Sequence, residues 1–347
     1  MPMQDAALWG IVAAVLVLPF LVRAVERNLE TFLLVMGAAA VTVSALWTVH
    51  LGSESLREPI HITLAVLGAG LAFHYGRGWF DRGFRGVRAR LPLPAVLFLT
   101  VVGLGLLSSV ITAIIAALLL VEIIHLLRLH RRQEIDITIL ACFAIGLGAV
   151  LTPVGEPLST IATARLHGDF WLLFRLLGWW ILPGVLALGV LAAVIHPGRD
   201  YGDLKDTNRR EPLREVFVRA GKVYLFVAAL VLLGTGLSPL VDRYFARLPA
   251  ALLFWVNMIS AILDNATLAA AEVGPALSRD QLMAILLGLL ISGGMLIPGN
   301  IPNIVAAGHL NIKSREWARF GVPVGLVTMA VYFIAWLIMH ARPGNPA

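Results

Sequence analysis

The sequence predicts an all-α polytopic membrane protein made of two inverted repeats, each with a re-entrant hairpin and a broken transmembrane helix. Three observations predict this fold. The 347 residues are 59% hydrophobic and only 14% charged. Four apolar stretches are either too long for one crossing or interrupted by prolines. Finally, residues 148–157 match residues 293–302 when the chain is shifted by 145 positions.

The composition excludes several other classes of protein. Soluble domains contain about 45–50% apolar and about 25% charged residues, so a soluble enzyme does not fit. A mean hydropathy of +0.85 argues against disorder and coiled coil. The single cysteine, Cys142, excludes a disulfide framework and a cluster of thiolate ligands. The net charge of +6 is typical of arginine-rich cytoplasmic loops, and we expect no nucleic-acid partner.

Simple crossings need about 18 or more apolar residues, because the hydrocarbon core is about 30 Å thick and a helix rises 1.5 Å per residue. The first segment has no basic region before it, so we expect it to stay as an anchor with the N-terminus outside. The simple crossings predicted on this criterion are 7–22, 30–50, 60–76, 170–195, 217–237 and 320–340.

Two apolar stretches predict re-entrant hairpins. Residues 93–127 would form roughly 52 Å of helix, too long for one crossing and short for two. The small polar residues Ser108, Ser109 and Thr112 mark the expected tip of this first hairpin. The stretch 248–277 has the same excess length, and its polar middle runs from Ser260 to Thr267.

Two further stretches, 135–166 and 281–311, predict broken helices. The first contains Pro153 and Pro157, and the second contains Pro298 and Pro302. A proline inside a helix removes a hydrogen-bond donor and clashes with the preceding turn. We therefore expect each helix to break near its centre.

Arginine clusters give the orientation, because arginine and lysine collect in cytoplasmic loops. The clusters within 77–90 and 128–132 flank the first hairpin, which therefore enters from the cytoplasm, whereas the second enters from outside. The chain divides into an N-terminal membrane half, a cytoplasmic linker and a C-terminal membrane half: 1–195, with two extra helices before the first repeat, then 196–216 and 217–347.

The match between 148–157 and 293–302 keeps a glycine, a leucine and both prolines in register. Either Ser108 or Ser109 aligns with Ser260, so the register of the hairpins stays open. Inverted repeats with broken helices that meet at the bilayer midplane are typical of secondary transporters. The alternative is that the prolines and small residues only allow kinks and close packing.

Three segments resemble motifs of the ion transporter superfamily, nearest to the NhaD-like sodium/proton antiporters. They are Ser260-Ala261-Ile262-Leu263-Asp264-Asn265, Gly293-Gly294-Met295-Leu296-Ile297-Pro298-Gly299-Asn300 and Thr152-Pro153-Val154-Gly155-Glu156-Pro157. Two N-terminal segments look more like an uncharacterised family of predicted cation transporters inside that superfamily. These are Val25-Glu26-Arg27-Asn28-Leu29-Glu30 and Leu56-Arg57-Glu58-Pro59-Ile60.

The resemblance spans nearly the whole chain and implies two inverted repeats, often in a homodimer whose transport domains move. The chain departs from the pattern in its first hairpin tip, which runs from Ser108 to Ala113. NhaD-like tips carry an acidic residue and an asparagine, and dicarboxylate carriers carry a Ser-Asn-Thr-like tip. The first tip here has neither an acid nor an asparagine.

Asp264 is the first candidate for an ion-binding residue. A carboxylate at mid-membrane costs about 2.5–3.5 kcal/mol on insertion scales, so an acid in that position indicates function. Its protonated and cation-bound states would compete, which is the basis of antiport. Asn265, Thr267 and Ser260 would add the neutral oxygen ligands that a hard, sodium-like cation prefers.

The broken helices supply the second group of candidates. Glu156 either contributes an acid from the first repeat or caps the half-helix that starts near Pro157. Asn300 and Asn303 either bind the ion or satisfy backbone groups freed by the break. The remaining candidates are Thr152, Ser109 and Thr112. Glu122 and Glu272, on the returning arms of the hairpins, are expected near opposite interfaces, where an acid needs no special function.

The main hypothesis is a secondary active cation/proton antiporter that works by alternating access in a prokaryotic plasma or inner membrane. The alternative is a sodium-coupled symporter of a small anion or metabolite. A membrane enzyme or a scaffold without transport is the remaining class, and we expect no enzyme because no nucleophile or metal constellation is evident. We expect no cofactor, since no phosphate-binding loop is present. The expected partners are membrane lipid, a small inorganic ion and a second copy of the chain.

Overall fold

Every regular element among the described residues is a helix, which confirms the all-α prediction. The computed structural model describes residues 2–22, 24–25, 28–60, 63–64, 67–68, 71, 75, 90–195, 213–244, 248–263, 265–274 and 277–340. The first six helices are α1 Pro2–Leu21, α2 Leu29–Ser44, α3 Leu93–Ile111, α4 Ala113–Leu127, α5 Arg131–Ala149 and α6 Pro157–Arg165. The others are α7 Leu172–Val194, α8 Leu213–Tyr244, α9 Ala250–Val256, α10 Asn265–Glu272, α11 Arg279–Gly293, α12 Ile301–Leu310 and α13 Ser314–His340.

Four of the described helices are long and apolar enough to cross a bilayer, which supports a membrane protein. They comprise α3, α7 and the greater parts of α8 and α13. Shorter apolar helices accompany them, within α1, α2, α4 and the segment 250–261. The predicted crossing at 60–76 falls mostly outside the described residues, as does the predicted linker 196–216, whose last four residues, 213–216, belong to α8.

Both predicted breaks are confirmed. The first helix of the pair, α5, ends at Ala149, and α6 begins only at Pro157. In the second pair α11 ends at Gly293, a short 3-10 turn covers Ile297–Gly299, and α12 begins at Ile301. The prolines stand in the turns or in the first helical positions, where a missing N–H does no harm.

The two helices that precede the breaks lie in the interior. Residues 135–149 of α5 and 282–293 of α11 are buried without interruption. A helix that is apolar all round is buried on every side. The peripheral helices expose apolar side chains instead, such as Trp179 on α7 at 85% and Val327 on α13 at 63%. An exposed apolar surface of this kind suits contact with lipid.

Helices of each half pack against helices of the other half, and the pattern of contacts is the same in both directions. In each half, the segment before the predicted hairpin tip packs against the interior helix of its own half, α3 on α5 and α9 on α11. The helix after each tip packs against the half-helix of the other half, α4 on α12 and α10 on α6. The site regions of the two halves are thereby brought to a common interface.

Candidate functional site

Asn303 closes the second helix break from inside. Its side-chain Nδ2 donates to the carbonyl oxygens of Gly293 and Leu296, at 2.8 and 2.9 Å. These carbonyls belong to the end of α11 and the turn after it, where the regular ladder of hydrogen bonds stops. Asn303 is fully buried, and its Oδ1 has no hydrogen-bond partner among the described residues. One side chain thus satisfies freed carbonyls and still offers a buried oxygen.

Asn300 brings the second break against the interior helix of the other half. It is 3% exposed and takes the extended conformation, with φ −153°, directly before α12. Its Nδ2 lies 2.6 Å from the position that a Cβ on Gly146 of α5 would occupy. Because Gly146 has no side chain, the amide of Asn300 can lie against the α5 backbone.

The second hairpin tip packs into the same break. A 3-10 turn follows α9 over Asn257–Ala261, and Ser260 within it is fully buried. Its hydroxyl donates to the carbonyl oxygen of Leu289 at 3.3 Å. Its own carbonyl oxygen would lie 2.6 Å from a Cβ on Gly299. The tip and the break are therefore in backbone contact, which glycine at 299 makes possible.

The remaining candidates of the second half follow this turn. Asn265 is 3% exposed at the start of α10, and its Nδ2 has no hydrogen-bond partner among the described residues. Asp264 lies outside the described residues, as does the side chain of Thr267. The structure therefore gathers Ser260, Asn300 and Asn303 around one break, and Asn265 follows the same tip.

The first break forms a second polar cluster. Thr152 is buried, and its hydroxyl donates to the carbonyl oxygen of Ser109. The carbonyl oxygen of Gly155 accepts from the N–H of Ala113 at 2.8 Å. Ala113 follows Thr112, where the chain kinks at φ 77° between α3 and α4. The kink of the first predicted hairpin is thus tied to the first break.

Glu156 is 5% exposed within this cluster. Its backbone N–H donates to the hydroxyl of Ser159 at 3.3 Å, and its carbonyl oxygen accepts from the same hydroxyl at 2.7 Å. Ser159 was not among the predicted site residues. It stands three residues after Glu156, where a side chain can accept from the backbone N–H of the residue just before the helix.

Ser108 corresponds to Ser260 in its contacts. Its hydroxyl donates to the carbonyl oxygen of Ile145 on α5 at 3.0 Å, as that of Ser260 donates to Leu289 on α11. Under the shift of 145, Ile145 falls one residue from Leu289. The contact therefore favours Ser108 over Ser109 as the partner of Ser260 in the alignment of the hairpins.

A third polar contact, between Asn257 and Glu272, was not predicted from the sequence. The Nδ2 of Asn257 donates to Oε2 of Glu272 at 2.9 Å, across the second predicted hairpin. Glu272 had been expected near an interface. Asn257 and Glu272 are 15 residues apart, and the turn between them interrupts the helical periodicity. The sequence pattern therefore gives no sign that the two side chains meet.

Arg131 joins the two broken helices at their far ends. From the start of α5, its guanidinium donates to the carbonyl oxygens of Leu310 and Asn311, at 2.8 and 2.9 Å. It also pairs with Glu134 and Glu316, at 2.7 and 3.0 Å. The end of α12 is thereby fixed to the beginning of α5. Among the side chains that the structure describes, no cluster of three or more histidine, cysteine or acidic residues could hold a metal ion.

Fold and site together define an α-helical membrane protein with two interrupted interior helices and a buried polar cluster at each interruption. Residues 5–339 match the model of the family described as "Protein of unknown function (DUF1646)", and the chain belongs to this family. A search of curated proteins found no match.

Proposed function

We propose that the protein is a secondary active ion transporter, a cation/proton antiporter of the sodium/proton type that works by alternating access. The observation that carries the proposal is the construction of the second break. Asn303 uses its donors to satisfy the carbonyls of Gly293 and Leu296 and leaves Oδ1 buried without a partner. A buried acceptor of this kind is costly unless something binds it.

The chemistry of the break favours a cation. Carbonyl, amide and carboxylate oxygens are the ligands that hard cations prefer, and Asp264 provides the carboxylate in the sequence of the adjoining tip. Neither predicted hairpin contains lysine or arginine. We propose Asp264, Asn303, Asn300, Ser260, Asn265 and Thr267 as the ion site, with Glu156 and Thr152 contributing from the first break.

The reciprocal packing supports two inverted repeats. The contact of α4 with α12 and the contact of α10 with α6 are what two copies of one unit in opposite orientation would make. In this proposal each hairpin and the half-helix beside it move together against the peripheral helices. The protein would act as a homodimer in a prokaryotic plasma or inner membrane.

The test is cation flux in proteoliposomes. We expect pH-dependent exchange of sodium or lithium for protons, and we expect its loss in Asp264→Asn, because an amide can neither release a proton nor neutralise a cation. Asp169→Asn is the matched control, since Asp169 is an exposed acid paired with Arg175 at 2.7 Å. Unchanged exchange in Asp264→Asn would show that Asp264 is not the carrier residue.

One observation favours the second candidate, a sodium-coupled symporter of a small anion or metabolite. The Nδ2 of Asn265 is a buried donor without a described partner at the N-terminal end of α10, where the helix dipole attracts negative charge. If no cation is exchanged for protons but an organic anion enters with sodium, this second function replaces the first.

A further inference from the structure

The buried Asn257 and the partly exposed Glu272 form an acid–amide pair that is distinct from the proposed ion site. Asn257 is the first residue of the 3-10 turn and is fully buried, whereas Glu272 is the last residue of α10. They lie on opposite sides of the tip and are joined by the hydrogen bond from Asn257 Nδ2 to Glu272 Oε2 at 2.9 Å.

The pair is incompletely satisfied in a specific way. Glu272 Oε1 and Asn257 Oδ1 are both buried, and neither has a hydrogen-bond partner among the described residues. Both atoms are acceptors when the carboxyl group is ionised, so neither can satisfy the other. They belong to two groups already in direct contact. A single proton on Oε1 would turn one acceptor into a donor and leave both oxygens satisfied.

We propose that this pair is a proton-binding site, in which the acid form of Glu272 donates from Oε1 to Oδ1 of Asn257. The two groups would then make paired hydrogen bonds in opposite directions. A metal cation fits less well, because hard cations take about six or more oxygen ligands and this pair offers two. The nearby hydroxyl of Ser292 has one proton and two carbonyl acceptors within reach, Gly288 at 2.6 Å and Asn257 at 2.7 Å.

Two basic side chains on the elements packed against α10 are paired with acids. Helix α10 packs against α6, α8, α11 and the 3-10 turn. On α8, Lys222 pairs with Glu30 at 2.9 Å and Arg243 pairs with Asp5. The other ionisable residues on these elements with described side chains are Arg214, Tyr224, Arg279 and Asp280. The structure does not describe six further ionisable side chains, those of Arg165, Glu215, Arg219, Asp242, Tyr244 and the adjoining Asp264.

The pair is placed to influence the tip. Asn257 begins the turn that carries Ser260, and its backbone carbonyl is held to α11 through Ser292. A change in charge at Glu272 therefore acts on the first residue of the turn that leads to Asp264. The statement that this proton is exchanged during antiport rests on the proposed function. The statement that the pair binds a proton does not rest on it.

The test is an infrared titration of purified protein in detergent. We expect a protonated-carboxyl band that disappears as the pH is raised, is absent in Glu272→Gln and shifts in Asn257→Ala, which removes its hydrogen-bond partner. Glu54→Gln, at a more exposed acid that pairs with His50, is the control and should leave the band unchanged. A band that survives unchanged in Glu272→Gln would overturn the proposal.

A second measurement does not depend on spectroscopy or on transport. The wild-type melting temperature should fall as the pH rises through the titration, because the ionised acid again leaves two acceptors together. Glu272→Gln should remove this fall, since its amide supplies the missing donor to Oδ1 at every pH. An equal fall in both proteins would overturn the proposal, as would loss of the band on adding sodium at constant pH, which would indicate a cation site.

These outcomes separate the two proposals. A band that titrates in a protein that exchanges no cation supports the proton site and refutes the antiport. Cation exchange in a protein whose band does not depend on Glu272 supports the antiport and refutes the proton site.

Discussion

Replacing Gly148 by alanine should drive apart the two helices that form the first half of the site. A Cβ on Gly148 of α5 would lie 1.7 Å from the carbonyl oxygen of Gly105 on α3. Ordinary contact begins at 3.4 Å, so the backbones would have to separate by about 1.7 Å. The carbonyl group of Gly105 belongs to helical backbone, so it cannot rotate away as a side chain can.

The expected loss combines three effects. Overpacking of a filled interior costs about 1–3 kcal/mol. Separation also stretches the contact from the Ser108 hydroxyl to the carbonyl oxygen of Ile145, now 3.0 Å; its loss costs at most about 1 kcal/mol, because the hydroxyl keeps the carbonyl oxygen of Gly105 as an acceptor at 2.6 Å. Alanine favours the helix over glycine by about 1 kcal/mol, which offsets part of this. We therefore expect Gly148→Ala to lower the free energy of unfolding by about 2 kcal/mol.

The assay is thermal unfolding of the purified protein in detergent, with two other glycines for comparison. Gly103, on the exposed side of α3, has no atom within 4 Å of its Cβ position, so Gly103→Ala should gain up to about 1 kcal/mol. Gly105→Ala should fall between them, since its Cβ would lie 3.0 Å from the carbonyl oxygen of Ala144. Gly148→Ala and Gly103→Ala should have melting temperatures that differ by roughly 5 °C or more.

The order of the three variants is the decisive result. If Gly148→Ala melts at or above Gly103→Ala, the close approach of α3 and α5 is wrong, and with it the way in which the first tip reaches the first break.

Three further predictions concern the surroundings of the site. Arg131→Gln should lower the unfolding free energy by about 1 kcal/mol, because the side chain is partly exposed but holds two backbone carbonyls, and should lose more than Arg175→Gln in the same thermal assay. Trp317→Phe should lower the unfolding free energy by about 2 kcal/mol, since the fully buried indole donates to the carbonyl oxygen of Gly294 at 3.1 Å. Trp171→Phe, at the surface, should lower it by almost nothing, and equal losses in the two variants would contradict the role of this hydrogen bond. Ser278→Ala removes a capping box at the start of α11 and should cost about 1 kcal/mol, measured by denaturation; an unchanged midpoint would show that the cap is unimportant there.

The breaks were predictable because proline acts locally. The clash and the missing donor depend only on the few preceding residues, and α5 and α11 end close to the proline pairs. The bounds of α7 were predictable from apolar length, at 170–195 against Leu172–Val194. Helix α8, at Leu213–Tyr244, extends beyond the predicted 217–237 at both ends. The inverted orientation of the repeats stays a prediction supported by the reciprocal packing.

The partners of the buried polar groups were beyond the reach of sequence. The amide of Asn303 could be expected either to satisfy backbone or to bind an ion, and only the fold shows that its nitrogen does the first and leaves its oxygen available. Glu272 is predicted near an interface because it lies on the returning arm of the second hairpin. The turn at Asn257–Ala261 folds the chain so that Glu272 meets Asn257, a contact that no periodicity encodes.

The sequence by itself determined that this chain is an α-helical membrane protein with two helices interrupted at proline pairs, because apolar length and proline chemistry act over one helix turn or one bilayer thickness. The tertiary structure alone decided which polar atoms meet at the breaks and which stay without partners. Those pairings join residues distant in the chain, such as Asn300 and Gly146, and depend on how closely whole helices approach one another.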